Sequence, residues 1–169
     1  MHPGLWSFVF IATTVAAPSC RSDAPAKPAQ ESTKPAPSRA IVPLVVLGDR
    51  LAVCRLPIDQ PLPVWANGSK GEFFSATRTP EEVSIILAES HAPEAAKCER
   101  GFRPLKVQGP LDFSLVGIIA GLSGTLADAG VSIFAFSTYD TDYVMVKQAD
   151  LERAVAALRK AGYDVKQRS

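Results

Sequence analysis

Apolar positions recur with a helical period in two stretches of the C-terminal sixty residues. Leu115, Ile118, Ile119, Leu122, Leu126 and Ala129 fall on one face of a helix, spaced at i, i+3, i+4, i+7, i+11 and i+14. Asp112 or Ser114 stands where that helix needs a cap, and Gly130 where it needs a left-handed stop. Leu151, Ala154, Val155, Leu158 and Ala161 repeat the pattern, with Asp150 as cap, Lys160 at the negative end and Gly162 as stop. Between the helices, Val131 to Ser137 is β-branched and aromatic and reads as a strand buried on both faces. Tyr139 to Asp142 is turn-like, and Tyr143 to Lys147 is a second short strand. With Arg103 to Val107 leading and Tyr163 to Lys166 trailing, the order is β-α-β-β-α-β, the ferredoxin-like arrangement of an α/β (α+β) fold.

The upstream half carries a fainter copy. Arg50 to Leu56, Phe73 to Thr77 and Val83 to Leu87 read as strands. A shift of 60 lays Phe74–Thr77 on Phe134–Ser137 and Glu82–Ile86 on Asp142–Val146, with the polar–apolar alternation preserved. Its helices are degraded. Pro57, Pro61 and Pro63 leave room only for a short turn near Trp65, and Pro93 and Gly101 limit the segment from His91 to Arg100. A unit of about 60 residues buries only about 60% of its chain surface and is marginal alone. Two units packed as one body, 41–101 and 102–169, are therefore expected.

The first forty residues have a different character. Leu5 to Ala17 is an uncharged apolar run, shorter than the roughly 20 residues that span a bilayer and suited to the core of a secretory signal. Cys20 follows, in the place of a lipidated cysteine. Arg21 to Arg39 is an Ala/Pro/Ser/Lys tract with no apolar period, which predicts a flexible spacer. The expectation is a signal at 1–20, a linker at 21–40 and an exported lipoprotein anchored in a bacterial envelope. The alternative is an over-extended start, with translation beginning near Val42 or Val45 and a cytoplasmic product.

Composition narrows the chemistry. The 169 residues carry 18 Lys+Arg against 17 Asp+Glu, a net charge of +1, without the clustered basic excess of a nucleic-acid binder. The two histidines, His2 and His91, give a His-based dyad or metal site almost nothing to work with. No GxSxG and no phosphate-cradling glycine loop is present. No catalytic role, metal or cofactor is expected. Cys54 sits in an apolar run and reads as a small buried hydrophobe; in an exported chain, Cys54–Cys98 is the candidate disulfide. Trp65 and Phe73 read as core, Glu81–Glu82 as a solvated turn and His91 as surface.

Gly109-Pro-Leu-Asp-Phe-Ser114, Gly117, Leu126-Ala-Asp-Ala-Gly130 and above all Ile133-Phe-Ala-Phe-Ser-Thr-Tyr-Asp-Thr-Asp-Tyr-Val-Met-Val-Lys147 resemble the ACT-domain proteins grouped with the CASTOR arginine sensors. Leu51–Leu56, Trp65, Arg78–Ser84 and Gly101 resemble the degenerate first ACT unit of the small bacterial members. The resemblance spans Leu47 to Val165. It implies two ACT units and the sensing of an amino acid or other small ligand without catalysis; the ligand is expected between the two units. An exported start departs from the cytoplasmic bacterial members.

A free amino acid needs N–H donors for its carboxylate and acceptors for its ammonium. Asp112-Phe113-Ser114-Leu-Val116-Gly117 is expected to open the first helix, so its free N–H groups and positive dipole end suit a carboxylate. Asp112, Asp140 and Asp142 are candidate partners for an ammonium or guanidinium, and Ser137 and Thr138 for further hydroxyl contacts. Each has a structural alternative: Asp112 as a helix cap, the other two aspartates and the hydroxyls as turn stabilisers. Gly117 within a helix costs about 1 kcal/mol against Ala, a cost explained by either close packing or ligand approach. A few charge-assisted hydrogen bonds are consistent with micromolar affinity, about −8 kcal/mol. The expected function is an amino-acid sensor; the alternative is an ACT fold that has lost its pocket and pairs with itself, through sheet or helices, or with another protein.

Overall fold

The computed structural model describes residues 41–66 and 73–168. The apolar run, Cys20 and the Pro/Ala tract lie outside the described residues. Among the described residues no helix is long and apolar enough to cross a membrane.

The chain runs β1 (Leu44–Val46), β2 (Leu51–Leu56), a 3-10 turn (Val64–Ala66), β3 (Phe74–Arg78), β4 (Val83–Ala88), a second 3-10 turn (Glu89–His91), β5 (Cys98–Val107), α1 (Ile118–Asp128), β6 (Ile133–Ser137), β7 (Asp142–Lys147), a third 3-10 turn (Gln148–Asp150), α2 (Leu151–Lys160) and β8 (Val165–Gln167). β5 is the spine and belongs to both units. Its first half pairs with β2 to give the order β3-β4-β2-β5, and its second half pairs with β7, which holds β6. A boundary at residue 101 therefore cuts through a strand rather than a linker.

The first unit keeps the ferredoxin-like strand order and the second keeps it with β1 inserted between β5 and β8, and the two hairpins match more closely than the sequence shift suggests. Arg78↔Val83 closes β3–β4 and Ser137↔Asp142 closes β6–β7. The true repeat offset is therefore 59, and it lays Ile85, Ile86 and Leu87 on Val144, Met145 and Val146. Alternation then sends Ile85 and Leu87 to the core of the first unit, Val144 and Val146 to that of the second, and Ile86 and Met145 together to the reverse face.

The second unit is the larger body. α1 and α2 pack Ile118, Leu122, Leu126, Leu151, Val155 and Leu158 against Leu105, Val107, Val144 and Val146. Gly130, at φ 67°, ends α1, with the Val131 N–H returning to the Leu126 carbonyl at 2.9 Å, and Gly162, at φ 96°, ends α2. The first unit has seven buried residues in its own cluster, against sixteen in the second. Leu62, Trp65, Ala66 and Ala92, from the turns and loops, stand where helices would lie.

Several expectations are corrected. β1 has no forecast: it lies end to end with β2 along β5 and, parallel to β8, separates β8 from β5. β5 begins at Cys98, five residues before the expected start. β6 is not buried on both faces; it pairs only with β7, and Ala135 and Ser137 are exposed. Asp150 precedes α2 without a capping bond, its Oδ1 instead accepting from Arg153 at 2.6 Å. His91 is half-buried. Cys54 is buried, as expected of a small hydrophobe, and is also disulfide-bonded to Cys98, its partner in register across β2 and β5.

Candidate functional site

Two loops meet at one end of the second unit's sheet. Residues 108–117 lead from β5 into α1, and residues 138–141 join β6 to β7. Backbone bonds join them: the Leu111 N–H donates to the Asp140 carbonyl at 2.8 Å, and the buried Thr141 hydroxyl donates to the Val107 carbonyl. Gly109 is required by this approach, since a Cβ there would stand 2.5 Å from the Asp140 carbonyl oxygen.

Between the loops lies an open cleft of about 380 Å³. One wall is Leu111, Asp112, Phe113, Leu115, Gly117 and the first turn of α1, Ile118 to Ala120; the other is Ser137, Thr138, Tyr139, Thr141 and Asp142. The first intrahelical bond runs from the Gly121 N–H to the Gly117 carbonyl at 2.8 Å. The N–H groups of Ile118, Ile119 and Ala120 therefore have no intrahelical acceptor and border the cleft.

α1 begins later than its periodicity implies, and this changes the role of Asp112. Neither Asp112 nor Ser114 caps α1; its N-cap is Gly117, at φ 84° and with no side-chain cap bond. Asp112 instead folds its own loop, Oδ1 accepting the Ser114 N–H at 2.8 Å while the Leu115 N–H donates to its carbonyl at 3.0 Å. The Ser114 hydroxyl, and then the Ser114 N–H, hold this exposed carboxyl below its ordinary value of 3.8. The glycine at 117 answers a backbone need rather than a spatial one, because a Cβ there would meet nothing within 4 Å.

On the opposite wall, the Ser137 hydroxyl donates to Asp142 Oδ1 at 2.6 Å, and the Thr138 hydroxyl and N–H both donate to the Thr141 carbonyl, at 3.1 and 2.8 Å. Over the mouth, the Phe113 and Tyr139 rings meet edge to face at 5.3 Å, both about four-fifths exposed. The lining holds two carboxylates and no Lys, Arg or His.

Of the nine candidate residues, six line the cleft: Asp112, Phe113, Gly117, Ser137, Thr138 and Asp142. Ser114 supports Asp112 from behind, Asp140 contributes its carbonyl to the loop junction, and Val116 is 70% exposed beside the mouth. The cleft is built by the second unit alone and not between the units, because the backbone junction that shapes it joins two loops of that unit. Tyr139 and Thr141 escaped the sequence reading. A turn aromatic leaves no periodic signal, and Thr141 looked like turn filler although it is buried.

Comparison with known proteins bears on the same segments. The family model described as an ACT domain matches residues 97–160, and a second model, described as an N-terminal domain, matches residues 49–95. The chain is similar to human CASTOR3P, 33% identical over 93 residues, covering 47% of this chain and 57% of that protein. It is also similar to the bovine cytosolic arginine sensor for mTORC1 subunit 1, 27% identical over 103 residues, covering 54% of this chain and 31% of that protein. It thus spans little more than half of one curated relative and a third of the other. Among solved structures, the protein Atu0741 of Agrobacterium tumefaciens is similar with a TM-score of 0.70 and 31% identity, over 78% of this chain and 96% of that one.

Proposed function

We propose a function from one premise: this chain belongs to the family of ACT-domain proteins that includes Atu0741 and is related to the CASTOR proteins. It is an ACT regulatory module. On this reading it binds a free amino acid in the cleft between the 108–117 and 138–141 loops, and acts by binding rather than by catalysis. The observation that carries the reading is the pairing of opposite chemistries across one cleft: unsatisfied N–H groups at the start of α1, and the carboxylates of Asp112 and Asp142.

An α-carboxylate sits at the α1 N-terminus, where three donors and the positive end of the helix dipole converge. The ammonium faces Asp112 or Asp142. With no basic residue in the lining, an acidic side chain meets only like charge there, whereas a cationic one gains a second carboxylate and the Phe113 and Tyr139 rings. The relative named as an arginine sensor supports the same class of ligand. The Cys54–Cys98 disulfide supports an oxidising compartment for the chain and so favours export.

A thermal-shift panel of the twenty amino acids tests this. A ligand at 100 times its Kd adds about 2.7 kcal/mol to stability, and the response is expected to be saturable, selective and strongest for a cationic amino acid. A flat panel would refute the sensor and leave an ACT fold that works through protein contacts.

A further inference from the structure

The first unit is tied by one covalent link. Cys54 and Cys98 stand at the last register pair of β2 and β5, and the chain between them, a separation of 44, contains two 3-10 turns, β3 and β4. Every element of this unit except β2 and β5 thus lies inside the loop that the disulfide closes. The other ties from this loop to β5 are polar: Arg100 donates to the Ala92 and Pro93 carbonyls at 3.2 and 2.7 Å, and the Gly101 N–H to Glu89 Oε2 at 2.6 Å. No α-helix among the described residues covers the unit, its buried cluster is small, and the β2–β5 ladder shifts register between Leu51 and Val53, opposite Gly101 at φ 75°. The helices of the second unit lie outside this loop and pack on their own cluster.

Within the loop, Ile86 clusters with Met145 of β7, and Phe73 reaches the end of the β6–β7 hairpin that borders the cleft. Phe73, inside the loop, packs its ring 5.4 Å from Phe136 and 5.3 Å from Tyr143, and those two rings stack at 5.0 Å. Phe136 immediately precedes Ser137, and Tyr143 immediately follows Asp142, the pair that forms one wall of the cleft.

We propose that Cys54–Cys98 is a redox latch: its reduction loosens the first unit, leaves the second folded, and through Phe73 relaxes the Ser137–Asp142 wall of the cleft. The reductant is a dithiol. It supplies two electrons and two protons, the Cys54–Cys98 S–S bond breaks, two thiols form, and the dithiol leaves as its own disulfide. Cys54 is buried and Cys98 half-buried, so the dithiol attacks at Cys98. The meaning of the relaxed wall for ligand binding rests on the function proposed above; the loosening itself does not.

Hydrogen exchange of the full chain with and without dithiothreitol tests the latch, with reduction verified by a gain of two titratable thiols. Amides of β4 are expected to exchange about tenfold faster or more after reduction, those of α2 to be unchanged, and those of 137–142 to rise. The variant Phe73→Ala, kept oxidised, is expected to raise exchange at 137–142 without changing β4. Two new thiols with β4 unchanged, or equal acceleration of α2, overturn the latch. Exchange at 137–142 that responds to neither reduction nor Phe73→Ala overturns the transmission. A flat amino-acid panel would defeat the sensor reading and leave these exchange results standing.

Discussion

The Ser137 hydroxyl donates to Asp142 Oδ1 at 2.6 Å across the closing pair of the β6–β7 hairpin. A turn-stabilising bond of this kind also fixes the plane of a carboxylate, and this carboxylate lines the cleft. Ser137→Ala frees Asp142 to rotate. Ligand affinity is expected to fall about five- to tenfold, the worth of about 1–1.5 kcal/mol for one hydrogen bond. Calorimetric titration checks it, with an unchanged far-ultraviolet spectrum showing that the hairpin remains.

Asp112→Ala separates a ligand contact from a structural role more cleanly than the sequence suggested, because Asp112 does not cap α1. The free protein is expected to melt near the wild-type temperature, and the ligand-induced rise to disappear. A lowered Tm with the ligand response intact would make Asp112 a loop residue only.

The pH dependence follows from the same carboxyl. Its folded value is depressed from 3.8 by the Ser114 hydroxyl and N–H, so whatever its charge contributes is fully present above 3.8 and is lost only as pH falls through the lower folded value. The part of ligand affinity that depends on Asp112 is therefore expected to be lost at a lower pH than an ordinary carboxyl would give. Isotope-edited NMR titration of the Asp112 carboxyl, with affinity followed in parallel, checks both halves. An apparent value above 3.8 would contradict the Ser114 contacts.

Two glycines of the same loop should fail in different ways. Gly117→Ala places a side chain at φ 84° with open space around it, so the expected cost is about 1–2 kcal/mol of backbone strain with the cleft intact. Gly109→Ala drives a Cβ to 2.5 Å from a carbonyl oxygen and must move the Asp140 backbone. Its ligand response is expected to be lost along with stability. Urea unfolding and thermal shift, run on both variants, distinguish them.

Leu122 is 1% exposed in the α1 interface with the sheet. Leu122→Ala is expected to cost about 2–5 kcal/mol, measured by urea unfolding; a neutral result would mean that the faces of α1 are misassigned.

What the sequence disclosed depended on where it was periodic. α1 and α2 are visible because Ile118, Leu122 and Leu126, or Leu151, Val155 and Leu158, return every turn. Leu115 fits the same period yet lies in the loop, since Gly117 takes a left-handed φ that no helix interior accommodates. Asp112 thereby lost its capping role and gained an Asx turn. β1 was invisible because three apolar residues have no period and its place is set by β5 and β8. The repeat was legible but misjudged by one residue, because β4 and β7 are buried on both faces and their apolar runs carry too little alternation to fix the register. Asp112, Gly117, Ser137 and Asp142 were found through the resemblance and through turn chemistry. Tyr139 needed the structure, because only the fold brings it to Phe113.

The most direct test of the central claim is a calorimetric titration of a cationic amino acid into the wild-type chain and into Asp112→Ala, with hydrogen-exchange footprints of the bound and free forms. Micromolar binding that is lost in the variant, with protection confined to 111–120 and 137–142, is the predicted result. Binding undiminished in Asp112→Ala, or protection elsewhere in the chain, would contradict the cleft as the site.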